Sequence, residues 1–312
     1  MSPKWTADQI PDQRGRIAIV TGANSGLGLV TARELARSGA HVVLACRNTA
    51  RGDAAARQIA AIAPDARVDV SALDLGSLDS VLAFAERFRA SHGGLDLLIN
   101  NAGVMAPPRQ TTVDGFELQF GTNHLGHFAL TAHLLGLMQG GVDPRVVTVS
   151  SNAHRYGRIG FDDLQSERRY RRWRAYGQSK LANLLFAFEL ERRLRAAGST
   201  VRSYAVHPGY AATNLQTTGP QRLDQALMRL TNRLVAQSAD MGALPTLYAA
   251  TYPGLPGGSF IGPDGIAQQR GYPRLVTPSR AARDQEVAHR LWARSEELTG
   301  VRIEVSAGVA VG

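Results

Sequence analysis

Near the N-terminus the apolar run RIAIV (16–20) passes directly into TGANSGLG, Thr21 to Gly28, and on into the amphipathic segment GLVTARELARSG. A strand that ends in a glycine-rich turn and restarts at once as a helix is the entry to a parallel β–α–β unit. Glycines 22, 26 and 28 allow a tight turn, let the backbone approach a pyrophosphate with no Cβ in between, and bring the helix close to the strand. The helix N-terminus adds unpaired N–H groups and a positive dipole, so Gly22, Asn24, Ser25, Gly26, Leu27 and Gly28 form a candidate phosphate-binding loop. Gly39 suits the end of the same helix.

Similar apolar runs recur at HVVLA (41–45), RVDVSAL (67–73), LDLLI (95–99), RVVTVS (145–150) and VRSYAV (201–206), separated by segments with helical spacing. Runs this rich in Val, Ile and Leu are buried on both faces. The alternation predicts an α/β chain: a single doubly wound parallel sheet with helices on both faces. No linker of Gly, Ser or Pro divides it, so one dinucleotide-binding catalytic domain is expected over 16–300, after an N-terminal arm (1–15) and before a C-terminal tail (301–312). Two segments, 152–175 and 210–240, are longer or more polar than a tight crossover requires, and they are expected to wall or cover a pocket at the carboxyl ends of the strands. In the second, Leu215, Leu223, Leu227, Met228 and Leu234 suit either a pocket wall or the inner face of a packing helix.

Composition narrows the class. Apolar residues make up 44% of the 312, ample for a core. The single cysteine, Cys46, cannot close an internal disulfide, and no leader pattern precedes the first strand, so a cytoplasmic location is expected. The longest apolar run, LANLLFAF from Leu181, is too short to cross a bilayer, and no membrane span is expected. A formal charge of +9 raises nucleic acid or an anionic surface as a partner. The densest cluster, RRYRRWR from Arg168 to Arg174, interleaves Tyr170 and Trp173 as a base-stacking or headgroup-binding patch would. A solvated loop in an arginine-rich chain explains it more simply, and no nucleic-acid partner is expected.

Of the 35 Lys plus Arg, only Lys4 and Lys180 are lysines. Arginine carries a planar, permanently charged fork, whereas lysine is a compact ammonium that bonds several partners and exchanges protons. Lys180 closes YGQSK (176–180), the stretch in which an ammonium has a use.

The spacing Gly-x-x-x-Gly-x-Gly differs from the common dinucleotide fingerprint and resembles that of the short-chain dehydrogenase/reductase family. Further motifs follow in that family's order: NNAG (100–103), VTVSS ending at Ser151, YGQSK, and HPGYAAT (207–213). The resemblance spans roughly residues 15–265. The long interval between Ser151 and Tyr176, with LACR and SKLANLLF, looks like the branch of retinol dehydrogenases and related carbonyl reductases. The N-terminal membrane anchor of many retinol dehydrogenases finds no match here, so neither a membrane location nor a retinoid substrate is carried over from the resemblance. The resemblance implies a Rossmann-type fold, a nicotinamide dinucleotide and a homodimer or homotetramer.

Tyr176 and Lys180 stand four residues apart and share a helix face. A neighbouring ammonium is expected to lower the phenol's pKa from about 10 towards the working range. Tyr176 then acts as general acid to a carbonyl oxygen, or as base in reverse. Ser151, at a strand end, would hydrogen-bond the same oxygen. Alternation along the strand lets only one of Ser150 and Ser151 face the site, and the resemblance favours Ser151. The resemblance also implies that Lys180 binds the nicotinamide ribose and that Asn123 of GTNHLGHF completes the set through a water that links the lysine to solvent. It places Asn101, Ala102 and Gly103 beside the adenosine, with Asn100 holding the sheet, and Pro208, Gly209 and Thr213 beside the nicotinamide. Asp74, followed by Leu75, resembles the residue that bonds the adenine amino group and equally suits a helix N-cap.

The second strand ends in HVVLACRN, with Arg47 and no carboxylate. An acidic residue there accepts from the ribose hydroxyls of NAD, whereas a 2′-phosphate needs a cation, so NADP(H) is expected over NAD(H). His124 and His127 supply at most half a zinc site and lack a companion cysteine, so no metal is expected. His207 is expected to shape the pocket floor. The expected function is an NADP(H)-dependent oxidoreductase acting on a carbonyl or alcohol of a moderately large apolar molecule. The alternatives are reduction of a C=C bond, as in the similar protochlorophyllide reductases, and a non-catalytic dinucleotide-sensing protein.

Overall fold

A computed structural model of the chain describes residues 4–210 and 238–305. Eight strands form one sheet: β1 (Ile17–Thr21), β2 (His41–Cys46), β3 (Val68–Ala72), β4 (Leu97–Asn100), β5 (Arg145–Val149), β6 (Arg202–Val206), β7 (Phe260–Pro263) and β8 (Pro273–Leu275). Their spatial order is β3-β2-β1-β4-β5-β6-β7-β8. The order reverses between β1 and β4, the switch point at which an open α/β sheet leaves a crevice outside its carboxyl ends. Every pairing is parallel except β7 with β8. That antiparallel edge departs from the expected all-parallel sheet: a short loop joins the two strands, and a parallel return would need a full crossover.

The period-2 alternation within each buried strand divides the core. Ala18 and Val20 of β1, Val42 and Leu44 of β2, and Leu97 and Ile99 of β4 pack on one face. There they meet α1 (Gly26–Arg37), α2 (Thr49–Ile62) and α6 (Ala239–Thr251). Their neighbours Ile19, Val43 and Leu98 point the other way, against α3 (Leu78–Ser91), α4 (Gly126–Met138) and α5 (Arg172–Ala196). A third cluster wedges α7 (Gln285–Thr299) against α5 through Leu291 and Leu184. Each fully buried Leu or Ile contributes roughly 1.5–3 kcal/mol, so these two layers hold the strand ends in register.

The N-terminal arm is less polar in its contacts than in its composition. Trp5 is buried edge-on against Tyr248 of α6, ring centroids 5.3 Å apart. Helix starts are capped by side chains at Asn48, Ser77, Ser238 and Asp284. Ser25, at the start of α1, makes no such bond.

Candidate active site

A cleft of about 1390 Å3 opens at the carboxyl ends of β1, β2, β4 and β5. Its floor is the TGANSGLG turn. A Cβ on Gly28 would lie 2.5 Å from the Gly22 carbonyl oxygen, so the first turn of α1 can seat against the strand only with glycine there. Because Ser25 does not cap the helix, its first N–H groups open onto the cleft, an anion-binding geometry. Thr21 braces the turn from behind. Its Oγ1 accepts from the amides of Asn101 and Ala102, both at 2.9 Å, while the Asn101 amide group donates to the Thr21 carbonyl at 2.8 Å. Asn24, Ser25, Leu27, Asp74, Leu75, Ala102, Gly103, Pro208 and Gly209 all line the same cleft, as expected from the motifs. Thr213 lies outside the described residues, as do Leu215, Leu223, Leu227, Met228 and Leu234.

YGQSK lies within α5, and each of its polar residues has a separate task. Tyr176 and Lys180 face the cleft one turn apart. Gln178 accepts from the Gly160 amide at 3.0 Å and donates to the Leu164 carbonyl at 2.9 Å, tying the 152–175 segment to the helix. Ser179 receives the Asn123 amide at 2.9 Å. Asn123 sits in a π-helical turn, Gly121–Leu125, a widening of the helix that often marks a functional site. Its side chain is fully engaged: Oδ1 accepts from the Val104 amide at 2.8 Å and Nδ2 donates to the Val104 carbonyl at 3.0 Å. A Cβ on Gly103 would come within 3.0 Å of Asn123 Oδ1 and 3.5 Å of Lys180 Nζ, so the three meet in one narrow space.

The two serines divide as strand alternation requires. Ser150 Oγ donates to the Lys180 carbonyl at 2.7 Å and pins α5 to β5. Ser151 lines the cleft with Tyr176, and its Oγ accepts from the Ala153 amide at 3.2 Å. Lys180 Nζ donates to the Val149 carbonyl at 3.1 Å and lies 5.9 Å from the Tyr176 ring centroid.

One electrostatic expectation is corrected. Burial pushes the Tyr176 hydroxyl up to about 12, and the influence of the Ser151 hydroxyl only partly opposes it. The Lys180 ammonium is itself brought down to about 8 by burial. Spacing put the pair on one face, as expected, but both groups left water together, and desolvation outweighs their mutual field.

Asp74 accepts from the Gly76 amide at 2.9 Å in a tight turn, and the N-cap of α3 is Ser77. Arg47 is exposed at the cleft's edge, and Arg51, which the sequence reading missed, joins it one helical turn later. Asp74 is the one carboxylate among the described residues lining the cleft. His127 is a buried brace, its Nε2 2.9 Å from Thr21 Oγ1 and its Nδ1 3.0 Å from the Asn123 carbonyl. His124 pairs with Ser295 at 2.9 Å, so the two imidazoles serve different neighbours. Burial draws their pKa values down to about 3 and 4 for His124 and His127. His207, also buried, contacts Gln268 at 3.1 Å beneath the cleft. The 152–175 segment does form a wall, through Asn152, Tyr156 and Trp173. Gln268 and Gln269, from beyond β7, carried no signal in the sequence; Arg51 was legible in principle, as the fourth residue after Arg47.

The profile of the short chain dehydrogenase family matches residues 16–223. Mouse retinol dehydrogenase 12 is 44% identical over 298 residues, which is 95% of this chain and 89% of that protein. Human retinol dehydrogenase 13 is 43% identical over 291 residues, 92% of this chain and 85% of that protein. An uncharacterised protein from Mycobacterium paratuberculosis has a solved structure with 50% identity and a TM-score of 0.81, covering 97% of this chain and all of that one. A second, described as an NAD(P)-dependent gluconate 5-dehydrogenase from Beutenbergia cavernae with bound NADP, is 26% identical with a TM-score of 0.61, covering 76% of this chain and 90% of that one. The chain belongs to the short-chain dehydrogenase family, in its retinol-dehydrogenase-like branch, and is an oxidoreductase that acts on CH–OH groups with a nicotinamide dinucleotide.

Proposed function

We propose that this oxidoreductase uses NADP(H) to interconvert an aldehyde or ketone and its alcohol on a moderately large, largely apolar molecule, with Tyr176 as the general acid and base. The observation that carries the reading is the convergence of Ser151, Tyr176 and Lys180 on the wall of a cleft whose floor is an uncapped helix N-terminus. The residues there fit a dinucleotide: backbone N–H groups for phosphate, Asp74 for an adenine amino group, and Arg47 with Arg51 for a 2′-phosphate. When bound, the dinucleotide supplies or accepts the hydride.

The protein's part is protonic and electrostatic. Held near 12, Tyr176 is protonated at neutral pH and ready to give its proton to a carbonyl oxygen as the carbon becomes an alcohol. Ser151 bonds that same oxygen and stabilises charge as it develops. Lys180, with a pKa of about 8, carries most of its charge at pH 7 and can relay a proton. In the oxidative direction Tyr176 must first lose its proton, so that direction is slow at neutral pH. Met105, Tyr156, Trp173 and Tyr210 give the substrate side of the cleft its apolar surface. The lone, buried Cys46 suits the reducing cytoplasm we propose as its compartment. Among the described residues no helix is long and apolar enough to cross a membrane.

The test is a panel of aldehydes, ketones and enones followed by loss of NADPH or NADH absorbance. Reduction of aldehydes or ketones, faster with NADPH, is expected. Turnover confined to the C=C bond of enones would move the chemistry to that bond, and indifference to the 2′-phosphate would remove Arg47 and Arg51 from the coenzyme site.

A further inference from the structure

A second cleft, of about 670 Å3, lies beside the first and shares two walls with it, Tyr156 and Trp173. Beside Pro108 and Tyr170 the rest of its lining is basic: Arg109 from the loop after β4, and Arg171, Arg172 and Arg174 at the start of α5. No carboxylate lines it among the described residues. The side chains of Arg171 and Arg174 are exposed, with no carboxylate in the lining to pair with them, while Arg109 donates to the Ser166 carbonyl at 3.4 Å and also acts on the buried Glu117 carboxylate. Arg109, Arg171 and Arg174 thus gather around one concavity with no carboxylate in its lining among the described residues.

The cluster is held in place. Tyr170 donates to the Pro107 carbonyl at 2.8 Å, and Gln119 bonds both the Tyr170 hydroxyl and the Arg172 carbonyl, at 3.0 and 2.9 Å. Trp173 packs edge-on against Tyr176, ring centroids 6.2 Å apart. Arg171 and Arg172 precede the catalytic tyrosine by five and four residues, roughly 6–8 Å along the helix axis. A molecule with its carbonyl at Tyr176 and an apolar body across Trp173 and Tyr156 thus delivers its far end to the arginines.

Resting on the reading of Tyr176 as the acid, we propose that the preferred substrate is amphipathic: an apolar carbonyl compound that ends in an anionic group, a carboxylate or phosphate, gripped by Arg171 and Arg174 with Arg109 opposite. Guanidinium forks bond such oxyanions bidentately. A concave site continuous with the catalytic cleft suits the end of a small molecule better than a flat membrane or a nucleic-acid strand.

The experiment compares a medium-chain ω-oxo carboxylic acid with its methyl ester, using the full chain and NADPH. At low salt the acid is expected to be favoured roughly tenfold in kcat/KM, mainly through KM, with the preference shrinking as salt screens the contact. The double variant Arg171→Gln/Arg174→Gln should bring the acid-to-ester ratio close to one, and Arg171→Lys/Arg174→Lys should retain part of it. Equal use of acid and ester by the unmodified chain, or a ratio that survives the glutamine variant, overturns the proposal. An ω-phosphorylated aldehyde distinguishes the two anions: preference for either one supports the site. Co-sedimentation with phosphatidylglycerol vesicles that disappears in the glutamine variant, with acid and ester used alike, would reassign the arginines to a lipid surface. Turnover of neutral aldehydes by the same preparation keeps the Tyr176 reading standing when this inference fails; inertness toward every carbonyl compound sinks both.

Discussion

Two buried cations stand at opposite ends of β5. Arg145 begins the strand, 1% exposed, and Lys180 bonds the carbonyl of Val149 at the other end, 4% exposed. Arg145 is thoroughly satisfied. Its guanidinium grips Asp143 through Nε and Nη2, donates to the Ala249 carbonyl at 3.0 Å and lies 5.5 Å from the Tyr204 ring centroid. Lys180 has one carbonyl oxygen and, among the described residues, no carboxylate. The first arrangement offsets the desolvation of a charge and locks strand to helix. The second leaves a desolvated ammonium underbonded, with donors still open to the cleft. The amino end of the sheet is built for stability, and the carboxyl end gives some stability up where chemistry is done.

This contrast can be broken most sharply at the centre of the site. Tyr176→Phe should retain the far-UV circular dichroism of the parent and lose roughly 10³-fold in kcat, the weight of a positioned general acid. Substantial residual turnover would mean that another group donates the proton. Next in size, Arg145→Met removes its bonds to Asp143 and leaves the Ala249 carbonyl without its donor; a loss of about 2–3 kcal/mol in urea unfolding is expected. An activity loss in that variant larger than its unfolded fraction explains would erase the distinction between the two ends.

Lys180→Met is the mirror case. Turnover should drop about 10²-fold while stability holds or rises by about 1 kcal/mol, because an apolar chain replaces an unpaired buried charge. The pH dependence follows the same logic. The unfolded lysine titrates near 10.5 and the folded one near 8, so between those values the unfolded chain holds more protons. Stability therefore gains with pH across that window, up to about 10, where Tyr176 begins to oppose it, and Lys180→Met should flatten the gain. Oxidation of an alcohol should accelerate as pH rises from 7 to 9, since Tyr176 must lose its proton, whereas reduction should not.

The smallest expected effect lies at the coenzyme edge. Arg47→Ala with Arg51→Ala should raise KM for NADPH about tenfold and leave KM for NADH close to its starting value. Equal weakening of both coenzymes would place these arginines on the shared phosphates.

The glycine turn, the strand runs and YGQSK were legible because each is a local statement. Continuous apolar runs state burial on two faces, glycine at 22 and 28 states a close approach, and a four-residue interval states a shared helix face. Legibility stopped where a property belongs to neighbours far apart in the chain. The edge strands β7 and β8 are short and carry little pattern, and their pairing direction is set by the loop between them. Asn123 was placed in the site by motif, but its engagement with Val104 and Ser179 needed three elements to converge.

By itself the sequence determined the parallel strands, the glycine turn and the placing of Tyr176 and Lys180 on one helix face, because side-chain type and spacing are enough to specify local geometry. Tertiary structure alone decided the direction in which Tyr176 and Lys180 titrate, since desolvation depends on how completely β5, the π-helical turn and the Gly103 loop enclose them. It alone brought Arg109 across from the loop after β4 to face Arg171 and Arg174, turning a run of charge into a cleft.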